Sequence, residues 1–303
     1  MAERKATATI GMFDGVHSGH NFLLQQLEEE AAGRHSRPLV ITFPDHPLKI
    51  IAPDREPPRL TPPNEKHSLL SVRGKFEVVA LEFNESLRKL SARDFLTMIR
   101  DRFGVGTLVM GYDHHFGHDR IKDRSEYTRI GDALGVEIVF AEPLVLDGQP
   151  ICSSLIRRLI SEGNIKKANE ALGRPYSLKA KVVEGKHIGR TIGFPTANLK
   201  PMDGSQLLPA TGVYAVLATL SDGTEYRGML NIGVRPTVDR SSNPVTTVEV
   251  NLFDCDRDLY GSELTVAFID RLRGERKFDT LEELRHQLDS DRRQSLSILE
   301  RTT

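Results

Sequence analysis

Near Gly173 the hydrophobic pattern of the chain changes, and that change limits the folds open to it. Before it, strand-like and helix-like segments alternate. "ATATIGMF" (Ala6–Phe13) is an apolar strand-like run. "GHNFLLQQLEEEAAG" puts Phe22, Leu23, Leu27 and Ala31 on one helical face and stops at Gly33. "PLVITF", "TLVMG" (Thr107–Gly111) and "VEIVFA" (Val136–Ala141) read as further strands, and Ser91 with Asp94 forms a capping box ahead of "FLTMIRDRFG". Strands separated by helices imply βαβ units and a parallel sheet. Beyond Gly173, "SLKAKVVEG", "GVYAVLATL", "TEYRGMLNIG", "TTVEVNLF" and "ELTVAFIDRL" follow one another directly. Asp222-Gly223 is a hairpin signal between two of them. This is the pattern of an antiparallel meander or barrel. Thr280 and Glu283 cap a last helix, "LEELRHQL". The expected organisation is an α/β domain over residues 1–174, closed by the helix "NIKKANEALG", and an antiparallel β-barrel domain with a terminal helix over 175–303. "PDREPPRLTPPNEKH" (Pro53–His67) reads as an exposed loop.

The 303 residues are 39% hydrophobic and 27% charged, ordinary for a globular chain of one large or two average domains. A net charge of -1 supplies no basic field for nucleic acid or for an acidic membrane surface. Cys152 and Cys255 form neither a disulfide framework nor a zinc pattern, and are expected to be reduced core thiols of a cytoplasmic protein. No signal peptide and no membrane span are evident.

"FDGVHSGH" carries the first candidate site. Gly11 and Gly15 permit tight turns just past a strand end, where parallel sheets bind ligands. His20 falls at or near a helix N-terminus, whose free N–H groups and dipole favour anions. Alone, a pair spaced like His17 and His20 more often serves structure, and zinc would need a third ligand. The strand-to-helix position favours phosphate.

"GMFDGVHSGH" resembles the HxGH signature of the nucleotidyltransferases in the form carried by bacterial FMN adenylyltransferases. "TFPDHPLKI" (Thr42–Ile50), "MGYDHHFGHDR" (Met110–Arg120) and "ICSSLIRRLI" (Ile151–Ile160) resemble that family's later segments in order, with Cys152 and Ser154 where serine and threonine are usual. The resemblance implies a Rossmann-like fold. It also implies ATP contacts from Gly11, Phe13, His17, His20, Ser153, Ser154 and Arg157, with His17 and His20 catalytic and Asp113 and Phe116 beside the flavin. Adenylyl transfer needs positioning and stabilisation of spreading negative charge, which imidazoles and a forked guanidinium supply.

"GKHIGRTIGFPTANL" (Gly185–Leu199) resembles the riboflavin kinase signature. It lacks the ending of a P-loop. The resemblance implies ATP contacts from Gly185, Lys186, Gly189, Gly193, Thr196 and Asn198, the last two also holding Mg²⁺ as hard oxygen ligands. "TTVEVNLFDCDRDLYG" (Thr246–Gly261) places Glu249 where the family has its general base, and Asn251 where it commonly has His. Arg273 is a candidate for flavin phosphate contact.

Together these motifs imply a bifunctional riboflavin kinase and FAD synthetase. Its substrates and products would be riboflavin, FMN, FAD and ATP, with Mg²⁺ as cofactor. Small molecules are the expected partners, without nucleic acid or membrane, and a homo-oligomer is compatible with the sequence. A nucleotidyltransferase with another acceptor would not need the "GFPTANL" module. A non-catalytic flavin-binding protein would not need His17, His20, Thr196, Asn198 and Glu249 all intact. RNA binding lacks an aromatic-basic stripe.

Overall fold

A computed structural model describes residues 5–72, 75–185, 193–235 and 245–301. By internal contacts the chain divides into two compact units, Met1–Ser153 and Ser154–Thr303.

The first unit is built on five parallel strands: β1 (Ala6–Ile10), β2 (Arg37–Thr42), β3 (Glu77–Ala80), β4 (Val105–Met110) and β5 (Glu137–Phe140). Their order is β3-β2-β1-β4-β5. The chain therefore winds one way from β1 to β3 and the other way through β4 and β5. The reversal lies between β1 and β4, where open α/β sheets leave a crevice beyond the strand ends. Helices α1 (Ser18–Gly33), α2 (Leu48–Ile51), α3 (Pro63–Val72), α4 (Glu85–Arg88), α5 (Ala92–Phe103) and α6 (Arg124–Leu134) connect the strands. A short hairpin, β6 (Val145–Leu146) and β7 (Gln149–Pro150), turns at Asp147-Gly148.

Alternate residues of the central strands face opposite cores. Ala8, Ile10, Leu39, Ile41, Leu108 and Met110 join Phe95, Leu96 and Ile99 of α5 and Tyr127 of α6. Val40 and Val109 join Leu24 and Leu27 of α1 and Leu70 of α3. Burial on both faces explains why these strands read as continuous apolar runs. On α1 the deepest residues are Leu24, Leu27 and Ala31, while the expected Phe22 and Leu23 are only half-buried.

Two elements of this unit depart from the sequence expectation. β3 is a four-residue edge strand with no fully buried residue, too short and too exposed to show a period. The stretch expected as an exposed loop contains a 3-10 turn (Pro53–Arg55) and the start of α3, and it buries Leu60, Thr61 and Lys66. Pro63 opens α3, where its missing N–H costs no helical bond.

The second unit holds α7 (Ser153–Ser161, whose first residue belongs to the first unit), α8 (Ile165–Leu172), six strands and a last helix, α9 (Leu281–Leu299). The strands are β8 (Tyr176–Val183), β9 (Ala197–Pro201), β10 (Gly212–Leu220), β11 (Glu225–Arg235), β12 (Val245–Leu252) and β13 (Glu263–Arg273). They close into an antiparallel barrel in the order β10-β11-β12-β9-β8-β13. The Asp222-Gly223 turn joins β10 to β11, with Gly223 at φ 84°. α8 is tied to the barrel: the Asn169 amide donates to Phe268 O at 2.8 Å and accepts from Tyr176 N at 2.7 Å. α9 is anchored by Asp291, which is 1% exposed and receives the Arg273 guanidinium at 2.8–3.1 Å and Gln287 at 2.9 Å. Ser91 and Thr280 cap their helices by accepting the Asp94 and Glu283 N–H groups at 3.1 and 3.2 Å, but the return bonds of a full capping box are replaced: Asp94 accepts the Ser91 hydroxyl and Glu283 the Asp279 N–H.

α6 lies so close to β5 that a Cβ on Gly131 would sit 2.4 Å from Val136 O and 2.7 Å from Ile138 Cγ1. Gly131→Ala is expected to destabilise the first unit by about 1–3 kcal/mol through overpacking. Gly33→Ala, where an added methyl meets nothing within 4 Å, should leave stability unchanged or slightly raised. Thermal denaturation of the two variants checks the contrast.

Candidate active sites

In the first unit, β1 stops at Ile10 and the chain makes a tight turn. Phe13 (φ 50°), Gly15 (φ 88°) and Val16 (φ 37°) all take positive φ. For Phe and a β-branched Val this is strain on the order of 1–3 kcal/mol each, of the kind that concentrates at functional sites. The turn delivers His17 in an extended conformation as the N-cap of α1. Its Nδ1 accepts the His20 N–H at 3.1 Å, so its ring proton is on Nε2. The His17 and His20 rings stack with centroids 3.5 Å apart and planes 17° from parallel. Gly19 makes room for this: a Cβ there would lie 2.7 Å from Ile151 O and 3.1 Å from His17 Nδ1.

This turn opens on a cavity of about 870 Å³ lined by Gly11, Phe13 and His20, and by Asp113 and Phe116 from the loop after β4. Phe43, Phe83 and Phe95 form part of its apolar wall. His114, from the same loop, is pushed down to about 4, chiefly by burial and next by His115, so it stays neutral at physiological pH. The Tyr112 hydroxyl is pushed up to about 12, by burial first and then by Asp113. Ser153, at the start of α7, donates to Asp14 O at 2.9 Å and so touches the histidine turn. Ser154 and Arg157 lie further along α7, Ser154 exposed and Arg157 half-buried.

In the second unit, Thr196 immediately precedes β9 and Asn198 lies on it. Asn198 is the register partner of Glu249 on β12. Thr196 Oγ1 donates to Glu249 Oε2 at 3.5 Å. Thr196 and Asn198 line a cleft of about 130 Å³ with Gly185. A Cβ on Gly185 would overlap the Asn198 amide, 1.8 Å from its nitrogen. Thr196 and Glu249 also line a second cavity of about 360 Å³ with Phe194, Arg273 and Phe278. Thr196 thus belongs to both. Gly193 takes φ 83° ahead of this segment. The Arg273 guanidinium is held by Asp291 and lies 5.7 Å from the Phe278 ring centroid. Lys186 and Gly189 lie outside the described residues.

Two supporting contacts have no signal in the sequence. Asn251, two residues beyond Glu249, donates to Pro195 O at 2.6 Å and so holds the backbone next to Thr196. Asp14 accepts the Leu60 and Thr61 N–H groups at 3.1 Å. Neither follows a local spacing, because their partners are distant backbone groups. Cys152 and Cys255 are free thiols, half-buried rather than in the core, and Cys255 lines the cleft beside Thr196.

Comparison with known proteins gives the same division. Residues 1–155 match the FAD synthetase family and residues 172–299 the riboflavin kinase family. The bifunctional riboflavin kinase/FMN adenylyltransferase of Bacillus subtilis (strain 168) is 33% identical over 97% of this chain and 92% of its own length. The chain belongs to the bifunctional riboflavin kinase/FMN adenylyltransferase family. The family's members from Pseudomonas fluorescens and Escherichia coli (strain K12) are each 36% identical, over 95% and 93% of this chain and 91% and 89% of their own. A solved structure described as a macrolide-efflux protein from Streptococcus pneumoniae matches with a TM-score of 0.85 and 31% identity, covering 97% of this chain and 94% of that one. Efflux is said of that protein; among the described residues here, no helix is long and apolar enough to cross a membrane.

The Asn251 bond is testable on its own. Asn251→Ala should cost about 0.5–1.5 kcal/mol of barrel stability, the net worth of a typical hydrogen bond. Asn251→Asp should cost more, because it turns an acceptor toward the Pro195 carbonyl oxygen. Urea denaturation of the two variants measures the order.

Proposed function

We propose that the two cavities are separate active sites, with residues 1–174 carrying FMN adenylylation and residues 175–303 riboflavin phosphorylation. The observation that carries this reading is that each unit has its own cavity with motif residues on its wall. His20 and Asp113 meet in the first, and Thr196 and Glu249 in the second.

In the second unit, Glu249 takes the proton of the riboflavin 5′-hydroxyl as that oxygen attacks the γ-phosphorus of ATP. ADP leaves and FMN forms. Thr196 sits where the cleft and the cavity share a wall, which suits a junction between nucleotide and acceptor. Phe194 and Phe278 offer apolar surface for the flavin ring. The Thr196 hydroxyl and the Asn198 amide oxygen are the hard donors that fit Mg²⁺, which when bound neutralises nucleotide phosphate charge. Gly185, Lys186, Gly189 and Gly193 are assigned to the same nucleotide.

In the first unit, an FMN phosphate oxygen attacks the α-phosphorus of ATP and pyrophosphate leaves. Little covalent chemistry falls to the protein, so positioning and charge stabilisation dominate. The stacked imidazoles at the α1 N-terminus meet the nucleotide phosphates, together with Gly11 and Phe13. Ser153 holds the leaving pyrophosphate, and Asp113 and Phe116 border the flavin. Two free thiols suit a reducing cytoplasm.

Incubation with riboflavin, ATP and Mg²⁺, followed by chromatography, should give FMN and then FAD. Glu249→Gln is expected to lower FMN formation by 100-fold or more, roughly the worth of a general base. It should leave conversion of supplied FMN to FAD intact. His20→Ala should do the reverse. Loss of both activities in either folded variant would refute the two-site reading.

A further inference from the structure

Lys66 on α3 is a buried lysine, 5% exposed, whose ammonium reaches under the histidine turn. Its Nζ donates to Met12 O at 3.1 Å and to Phe43 O at 2.5 Å. These carbonyls lie just beyond the carboxyl ends of β1 and β2, where the ladder no longer satisfies them. Met12 and Phe43 both line the large cavity of the first unit. From the opposite direction, the buried Asp14 of the same turn grips the Leu60 and Thr61 N–H groups, five or six residues ahead of Lys66. α3 with the segment before it is therefore stitched twice to the turn after β1: a carboxylate reaches one way and an ammonium the other.

An isolated ammonium is costly to bury, and an apolar side chain of equal shape would avoid that cost. What the apolar chain cannot do is hold two carbonyls from different strands at one point. We propose that Lys66 is a positioning residue for adenylyl transfer, fixing the Met12–Asp14 backbone so that His17 and His20 are presented to the nucleotide. This rests on the assignment of FMN adenylylation to the first unit. Lys66 touches no reacting atom. It acts through the turn.

The charge on Lys66 gives the inference a distinctive signature. Burial pushes its ammonium down to about 8, with Asp14 the largest opposing influence. The charged groups facing it are Asp14 from the turn after β1, Asp45 from the loop after β2 and Arg59 from the loop before α3. As pH rises through about 8 the group loses its charge, and its hold on the two carbonyl dipoles weakens. An arginine at this position stays charged throughout.

The test is steady-state conversion of FMN to FAD by the full chain from pH 6.5 to 9.5, for wild type, Lys66→Met and Lys66→Arg. Cooperative thermal unfolding and riboflavin phosphorylation are followed in parallel. Wild type should lose kcat with an alkaline limb near pH 8. Lys66→Met should lower kcat roughly 10- to 100-fold, as misplacement of a catalytic geometry by about 1 Å does. It should leave KM for FMN and ATP within about threefold, show no alkaline limb, and keep kinase activity. Lys66→Arg should lack the limb whatever its absolute rate. A folded Lys66→Met with wild-type kcat overturns the inference, as does an alkaline limb that persists in Lys66→Arg. If Lys66→Met fails to fold, the arginine profile decides. Wild type that makes no FAD from FMN overturns the assignment of the first unit instead.

Discussion

The bond from the His20 N–H to His17 Nδ1 is the contact on which the first site depends. It caps α1 with an imidazole in place of the usual hydroxyl or carboxylate. One ring therefore fixes the start of the helix, its own tautomer and the plane on which the second ring stacks. Positive φ at Phe13 and Val16 is what the chain sustains to bring that ring there, and Asp14, Lys66 and Ser153 hold the turn in place from three sides. The glycines of the motif serve the same geometry. At Gly19 no larger residue fits between the His17 ring and the Ile151 carbonyl.

The second site obeys a different logic. A closed antiparallel barrel fixes register tightly, so Asn198 on β9 and Glu249 on β12 face each other as ladder partners. Asn251 adds a side-chain bond to Pro195 just before β9, which steadies Thr196. Rigidity comes from the sheet itself here, whereas in the first unit it comes from side chains packed around a strained turn.

Much of this was legible in the sequence because it is written in periodicity and in local motifs. The switch from alternating strands and helices to consecutive strands marks the two architectures. The capping residues Ser91 and Thr280 mark helix starts, and His20, Thr196 and Glu249 fall on the walls of the cavities. What escaped had no local signal. β3 and β9 are only four and five residues long, and α3 hides behind a Pro-rich stretch with Pro63 at its first position. Lys66, Asp14 and Asn251 are polar residues whose partners are backbone groups 23 to 56 positions away, beyond any helical spacing. α8 read as the end of the α/β domain, yet Asn169 ties it to barrel strands through hydrogen bonds that no pattern announces.

The two sheets also differ in how they end. The barrel closes on itself, so every one of its strands has two neighbours and it has no edge strand among the described residues. The parallel sheet ends on β5, which pairs only with β4, and on β3, which pairs only with β2 and carries Val78 and Val79 half-buried between Glu77 and Ala80. The ion pair of Glu77 with Arg37, at 2.6 Å, puts charge on that border. Among the described residues the open sheet edges therefore lie in the α/β unit, and β3 and β5 are the borders to charge further in a version made for concentrated solution.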